Sequence, residues 1–227
     1  MSGSIKLVRA DGSLYRYTPP HAVLALPRSG SFNSRVAFAA AHVVADPLRT
    51  EDPIASPAID WQATLAYREY LWSLGFGVAE AMDTAQRGTG LHWPMALELI
   101  QRSSSAAAAR KAMVFCGAGT DHLPPGPSAA LQDIIDAYLQ QCEAIESAGG
   151  RIVVMASRAL AAIARHAEDY ALVYARVLES VRQPVIIHWL GPMFDPALAG
   201  YWGSTEIAVA AENCLSVVHA HKKKIDG

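Results

Sequence analysis

Short apolar runs alternate with longer segments of helical periodicity along most of the chain. The runs occupy residues 36–41, 76–81, 113–116, 152–155 and 185–187. They are mostly continuous rather than alternating, which is typical of parallel strands that helices cover on both faces. The pattern therefore predicts five βα units between residues 35 and 221.

The segments between the runs predict five helices. Apolar residues recur at helical spacing over residues 131–145, 170–181 and 207–218. Asp60 and Ser128 are favourable N-caps, so we expect helices to begin at residues 61 and 129, and Gly149 is a favourable C-cap for the second of these. The fifth helix is expected near residues 93–109.

The N-terminal part follows another pattern. Residues 4–17 alternate with period two around Asp11 and Gly12, and an Asp-Gly pair between such flanks predicts a β-hairpin. Pro19, Pro20 and residues 27–33 then predict a linker. We therefore expect a hairpin and linker over residues 1–30 and the βα units over residues 31–227.

Two α/β architectures use such units, the doubly wound sheet and the (β/α)8 TIM barrel. No Gly-x-Gly-x-x-Gly motif follows the first run, and residues 43–46 contain no glycine, which disfavours a dinucleotide-binding fold. A TIM barrel is therefore the preferred prediction. Eight units of this length need about 330 residues, so we expect five units here, with a sixth strand starting at residues 225–227 and the C-terminal part of the barrel missing.

Composition narrows the class of protein. Hydrophobic residues make up 52% of the chain and the formal charge is -2, which predicts a globular protein that does not bind nucleic acid. Cys116, Cys142 and Cys214 form no Cys-x-x-Cys pair, so neither a disulfide framework nor a thiolate zinc site is expected. With no secretory signal and no long apolar stretch, we expect a cytoplasmic protein without membrane contact. Barrels commonly associate, so a homo-oligomer is expected.

Polar and ionisable residues follow every predicted strand. In a barrel this end of the strands surrounds one cavity, where the chemistry takes place. The candidates in chain order are His42, Asp46, Glu80, Asp83, Gln86, Arg87, Cys116, Thr120, Asp121, His122, Ser157, Arg158, His188 and Trp189. A structural role is open for several of them. Glu80, Asp83 and Arg158 are equally suited to an internal ion-pair network, and Cys116 is either a nucleophile beside His122 or an inert core thiol.

Five stretches also resemble a known family. They are residues 37–47 (AFAAAHVVADP), 71–88 (LWSLGFGVAEAMDTAQRG), 117–123 (GAGTDHL), 149–162 (GGRIVVMASRALAA) and 184–202 (PVIIHWLGPMFDPALAGYW). Together they resemble an uncharacterised bacterial family described as dihydrodipicolinate synthase-like. The resemblance covers nearly the whole chain and implies a TIM barrel of the class I aldolase type.

The resemblance also implies a mechanism. In class I aldolases a lysine on the sixth strand forms a Schiff base with a keto substrate. That lysine would fall just past Gly227, and Lys224 precedes the strand and should point away from the cavity.

Three positions depart from the enzymes of this type. Their Gly-Thr-Thr-Gly-Glu turn after the second strand is replaced by residues 82–84, where Asp83 would repel a substrate carboxylate. Ser157 and Arg158 stand near the position of their strand-four tyrosine. His188 and Trp189 replace the usual tyrosine and asparagine of strand five. The departures favour a neutral polyol or keto-sugar over a pyruvate-type substrate.

The resulting hypothesis is an aldolase-like lyase of carbohydrate metabolism, complete only in the full-length protein. It would make or break a carbon–carbon bond of a keto-sugar or related small carbonyl compound, without a cofactor. His188 is the first candidate for general acid–base work, since histidine exchanges protons near neutral pH, and Asp83 and Glu80 would assist it. The predicted substrate-binding residues are His42, Arg87, Asp121, His122, Ser157, Arg158 and Trp189.

Two alternatives remain open from the sequence. One is a sugar isomerase or epimerase that depends on a divalent metal, with Glu80, Asp83 and His188 as ligands. The other is an inactive fragment or a non-enzymatic binding protein. Five units leave two sheet edges unpaired, and such edges favour association with a partner.

Overall fold

The computed structural model describes residues 4–18, 35–46, 48–49, 57–123 and 130–227. They form a mixed α/β structure with a five-stranded parallel sheet, curled into a half-barrel, and a separate antiparallel hairpin. The predicted linker at Pro19, Pro20 and residues 27–33 lies outside the described residues, and so does the predicted N-cap Ser128.

Each of the five apolar runs overlaps one parallel strand, so the strand prediction is confirmed. The hairpin consists of β1 (Ile5–Val8) and β2 (Leu14–Tyr17). The sheet consists of β3 (Phe38–Ala40), β4 (Gly77–Glu80), β5 (Val114–Ala118), β6 (Arg151–Met155) and β7 (Ile186–His188). Neighbours in the sheet are neighbours in the chain, without the reversal of strand order that marks the doubly wound folds.

The five predicted helices are also present. They are α1 (Trp61–Ser73), α2 (Trp93–Arg110), α3 (Leu131–Ser147), α5 (Ala167–Ser180) and α6 (Ile207–Ala220). Asp60 caps α1 as predicted, accepting a hydrogen bond of 2.9 Å from the Ala63 amide. Gly149 adopts a φ of 80° just after α3. α3 begins two residues later than predicted. The sequence pattern missed α4 (Arg158–Ile163), because fewer than two turns are too short to show a helical period.

Alternation along the strands separates two apolar layers. Ala79, Phe115, Val153 and Ile186 belong to a cluster on the concave face of the sheet. Their neighbours Val78, Cys116, Ile152, Val154 and Val185 belong to the main core between the sheet and the helices. Because successive side chains of a strand point to opposite faces, only every second residue faces the inside of the half-barrel.

Residues 225–227 lie along the outer edge of β7, as expected for a sixth strand. The Val185 amide donates to the Lys224 carbonyl over 2.9 Å, and the Ile187 amide donates to the Gly227 carbonyl over 2.9 Å. The bridge between Val185 and Ile225 is parallel. Lys224 Nζ donates to the Val181 carbonyl over 2.6 Å, just past the last turn of α5, so its amine is engaged away from the carboxyl ends of the strands.

None of the helices in the described part of the chain has the length and apolar character that a bilayer span requires.

Candidate functional site

A cavity of about 540 Å³ opens where strands β4, β5 and β6 end. Six candidates from the strand ends line it, namely Asp83, Arg87, Thr120, Asp121, Ser157 and Arg158. Leu123, Met155, Leu190 and Leu198 supply apolar wall. The cavity therefore combines charged groups with apolar surface, as binding sites for small molecules do.

Arg87 joins the ends of β4 and β5. Its side chain is 1% exposed, and it pairs with both carboxylate oxygens of Asp121, at 2.6 Å from Nη2 and 3.2 Å from Nε. Nη1 donates to the carbonyls of Ala81 and Gly117, and Nη2 also donates to Gln141 Oε1 over 2.8 Å. All five N–H groups of the guanidinium are thus used, so Arg87 frames the cavity and has no hydrogen left for a substrate.

Asp121 stays ionised in this setting. Burial raises the pKa of its carboxyl, but the hydrogen bonds and the positive charge of Arg87, together with a hydrogen bond from Gln141, outweigh burial and hold the pKa below its ordinary value. Gln141 also accepts from the Gly119 amide over 2.7 Å. The sequence reasoning missed Gln141, although its place three residues after Tyr138 and four before Ile145 puts it on the buried stripe of α3.

Thr120 and Ser157 form a hydroxyl pair in the cavity wall. Their Oγ atoms lie 2.6 Å apart, and both residues are buried. Ser157 also caps α4, since its Oγ accepts from the Leu160 amide over 2.9 Å, while its own amide donates to the Tyr201 hydroxyl. The pair links the end of β5 to the start of α4.

Arg158 contacts a residue that the sequence reasoning did not select. Its Nε lies 2.5 Å from Oδ2 of Asp195, which follows β7 and also lines the cavity. The Arg158 side chain is 47% exposed and that of Asp195 is 14% exposed. The Asp195-Pro196 pair signals a turn in the sequence, but only the fold brings this turn to Arg158.

His188 faces Asp83 across the concave side of the sheet. Nδ1 of His188 lies 3.9 Å from Oδ2 of Asp83, and the two side chains are 34% and 38% exposed. Nδ1 is buried and has no hydrogen-bond partner among the described residues. Asp83 lines the cavity, whereas His188 lies outside the lining and borders the cavity through Asp83. A histidine beside a carboxylate is a suitable candidate for general acid–base chemistry.

Glu80 is not brought to the cavity. Its side chain is fully buried and pairs with Arg68 of α1, at 2.9 Å from Nε and 2.8 Å from Nη2. The hydroxyl of Ser103 on α2 and the Ala81 amide also donate to it. Glu80 shares the helix-facing side of β4 with Val78, two residues earlier, a placement that strand alternation alone would have indicated.

Besides Glu80 and His188, three predicted substrate-binding residues lie outside the cavity lining. His42 has an exposed side chain, and its carbonyl accepts from Arg68. His122 lies between Gln140 and Gln141, with ring nitrogens 3.1 Å and 2.8 Å from their side chains. Trp189 is half-buried and packs against the core between sheet and helices.

Cys116 lies within β5 rather than after it. It belongs to the core that faces the helices and is fully buried. Burial, together with the charge of Glu80, raises the pKa of its thiol. A buried neutral thiol is a poor nucleophile, and His122 hydrogen-bonds to glutamines instead, so the arrangement does not favour a Cys–His pair.

The described ranges contain no group of three or more His, Cys, Asp and Glu side chains arranged to hold a metal ion. Of the three alternative ligands predicted from the sequence, only Asp83 and His188 lie together. The oxygens of Glu80 are taken up by Arg68, Ser103 and the Ala81 amide.

Comparison with curated proteins gives no match. The model of a family described as "Protein of unknown function (DUF993)" matches residues 5–227. The matched range includes the hairpin, the five parallel strands and every residue that lines the cavity. The chain therefore belongs to the DUF993 family.

Proposed function

We propose that the chain is part of an aldolase-type TIM barrel and serves a lyase that acts on a keto-sugar or related small carbonyl compound. The curled sheet with sequential parallel strands supports the barrel, and the cavity lies where barrel enzymes place their chemistry. Resemblance to the dihydrodipicolinate synthase-like family supplies the reaction class.

The observation that carries the proposal is the meeting of His188 and Asp83 at the edge of the cavity. In carbon–carbon cleavage a base removes the proton of a substrate hydroxyl, and an acid later protonates the carbon that is released. His188 would perform both transfers. Asp83 would stabilise the imidazolium while it carries the proton, because opposite charges attract strongly at a partly buried site.

The remaining residues divide into two roles. Glu80 is assigned a structural role, because Arg68, Ser103 and the Ala81 amide occupy its carboxylate. Asp121 and Arg87 are also assigned a structural role, because they bind each other and Gln141 in the cavity wall. Arg158 and the Thr120–Ser157 pair remain available for substrate, since they line the cavity and keep hydrogen atoms to donate.

In the proposed chemistry, His188 and Asp83 perform the proton transfers without a metal or a cofactor. The resemblance assigns the electron sink to a lysine past Gly227, and Lys224 is engaged by the Val181 carbonyl. A metal-dependent isomerase is the less supported alternative, because Glu80 does not join Asp83 and His188. A cytoplasmic homo-oligomer remains a prediction.

The test measures proton exchange and bond cleavage by the full-length protein. A panel of keto-sugars is incubated in deuterium oxide, and NMR follows deuterium entry beside the carbonyl and the release of smaller products. His188→Gln is expected to lower the rate about 100-fold or more, the usual contribution of a general acid–base. Asp83→Asn is expected to lower it by a smaller factor.

His219→Gln is the matched control, since His219 is exposed in the last turn of α6 and should leave the rate unchanged. A wild-type rate in His188→Gln would refute the assignment of the catalytic base. Absence of exchange and cleavage with every sugar would count against a lyase and favour a binding role.

A further inference from the structure

We propose that the cavity recognises its substrate through an anionic group, a phosphate or a carboxylate, bound by Arg158 and the Thr120–Ser157 hydroxyl pair. The inference rests on the proposed function, because it concerns the same cavity. It deepens that proposal by naming the substrate class, an anionic sugar derivative instead of the neutral sugar that the sequence favours.

The two arginines of the cavity differ in the number of N–H groups that remain free to bind a ligand. Arg87 donates all five of its N–H groups to protein acceptors. Arg158 donates through Nε to Asp195, and its Nη1 and Nη2 have no acceptor among the described residues. An arginine held through Nε alone is oriented but not saturated, and its two Nη atoms match two oxygens of a carboxylate or phosphate.

Gly88 lies beside this guanidinium. It lies in the turn after β4 with a φ of 69°, and a Cβ placed on it would come within 3.2 Å of the Asp121 Cβ and 3.6 Å of Arg158 Nη1. The side chain of Arg158 therefore reaches from the start of α4 to the turn that follows β4. It spans one wall of the cavity instead of extending away from it.

The hydroxyl pair supplies a further donor on the same wall. Thr120 and Ser157 share one hydrogen across the 2.6 Å between their oxygens, so the hydrogen of the other hydroxyl stays free in either direction of donation. Ser157 precedes Arg158 in the chain, and both residues line the cavity. An anion at Arg158 thus finds donors from two sources.

The lining carries three aspartates and two arginines, so the anion has to be held by directed hydrogen bonds and not by a net positive charge. Arg87 is fully engaged, in part by Asp121, whereas the pair with Asp195 uses only Nε of Arg158 and leaves both Nη atoms for a ligand. Asp83 lies 3.9 Å from His188 Nδ1 of β7, and no ion pair joins Asp83 to Arg158 in the described ranges. The repulsion that Asp83 predicts from the sequence therefore acts at the His188 end of the cavity, where the carbonyl would lie.

The test is a direct binding measurement that needs no turnover. Calorimetry compares fructose with fructose 6-phosphate and with 2-ketogluconate, and inorganic phosphate is added as a competitor. The phosphate ester, the sugar acid or both should bind the wild-type protein about ten-fold or more tightly than fructose. Whichever of the two binds tightly identifies the anion.

Two variants locate the anion site. Arg158→Gln should lose the preference for the anionic ligand, whereas Arg158→Lys should keep part of it because the charge is retained. Arg110→Gln is the matched control, since Arg110 is also 47% exposed and ion-paired, with Glu69 on α1, and does not line the cavity. Equal affinity for fructose and both anions, no binding of any of them, or an intact preference in Arg158→Gln would overturn the inference.

The outcome separates the two proposals. Tight anion binding lost in Arg158→Gln, without exchange or cleavage of any sugar, would keep the anion site and reject the lyase. Exchange or cleavage of neutral sugars that depends on His188, with no preference for anions, would keep the lyase and reject the anion site.

Discussion

Glu80 and Asp83 stand three residues apart at the end of one strand, yet they meet different surroundings. Glu80 faces the helices, is fully buried and receives hydrogen bonds from Arg68, Ser103 and the Ala81 amide. Asp83 lines the cavity and is 38% exposed, and its one ion-pair partner within 4 Å among the described residues is His188, at 3.9 Å. The first carboxylate is saturated by protein and the second keeps its oxygens for another partner.

The difference shows how to divide polar residues at strand ends. A buried charge is tolerated only when donors compensate it, so a fully satisfied carboxylate stabilises the fold and is poorly suited to catalysis. A half-exposed carboxylate with an unsatisfied histidine contributes little to stability and is free to act. The same contrast separates Arg87 from Arg158.

The strongest test of this difference is to replace each of the two carboxylates, Glu80 and Asp83, by its neutral amide. Glu80→Gln should lower the free energy of unfolding by about 3–5 kcal/mol, because it leaves Arg68 buried without its counter-charge. Asp83→Asn should change it by less than about 0.5 kcal/mol, as at other exposed sites. Urea denaturation followed by circular dichroism gives both values. Similar losses in the two variants would contradict the division into structural and available groups.

A second prediction concerns Asp121, which is held by protein donors like Glu80 and lines the cavity like Asp83. Asp121→Asn should cost about 1.5–3 kcal/mol at pH 7, the range for hydrogen bonds to charged groups. Because the folded state lowers the pKa of Asp121 from its ordinary 3.8, the stabilisation is complete above pH 3.8 and is lost as the pH falls through the lowered value. Unfolding measured from pH 7 down to pH 2 should show the gap between wild type and variant closing. A gap that stays constant would show that the charge of Asp121 does not stabilise the fold.

A smaller loss of stability than at Glu80 or Asp121 is expected from the hydroxyl pair. Ser157→Ala should destabilise the protein by about 1 kcal/mol, because α4 loses its N-cap. Ser157→Thr should restore most of the loss, since threonine also caps helices. Thermal unfolding of the three proteins tests this order. An unchanged melting temperature in Ser157→Ala would mean that the cap contributes nothing to the fold.

Much of the fold follows from local pattern. Apolar runs predicted all five parallel strands, and helical spacing predicted α3, α5 and α6, because periodicity reports which faces are buried. Asp60 and Gly149 marked helix ends through their own side chain or backbone freedom. α4 was missed since its six residues span too few turns to repeat.

The candidate site was predicted less completely. Position after a strand selected Asp83, Arg87, Asp121, Ser157 and Arg158, and the structure places all five at one cavity. Glu80 also stands at a strand end, but strand alternation turns its side chain towards the helices, where Arg68 binds it. Asp195 and Gln141 were missed since they reach the site from a loop and from a helix far along the chain.

The sequence by itself determined the order of the elements, the buried faces and the end of the sheet at which polar groups collect, because each of these depends on neighbours in the chain. Tertiary structure alone decided which polar groups are satisfied. Arg68 reaches Glu80 from α1, and Asp195 reaches Arg158 from the loop after β7. Whether a charge is neutralised or left free depends on residues that only folding brings within hydrogen-bond distance.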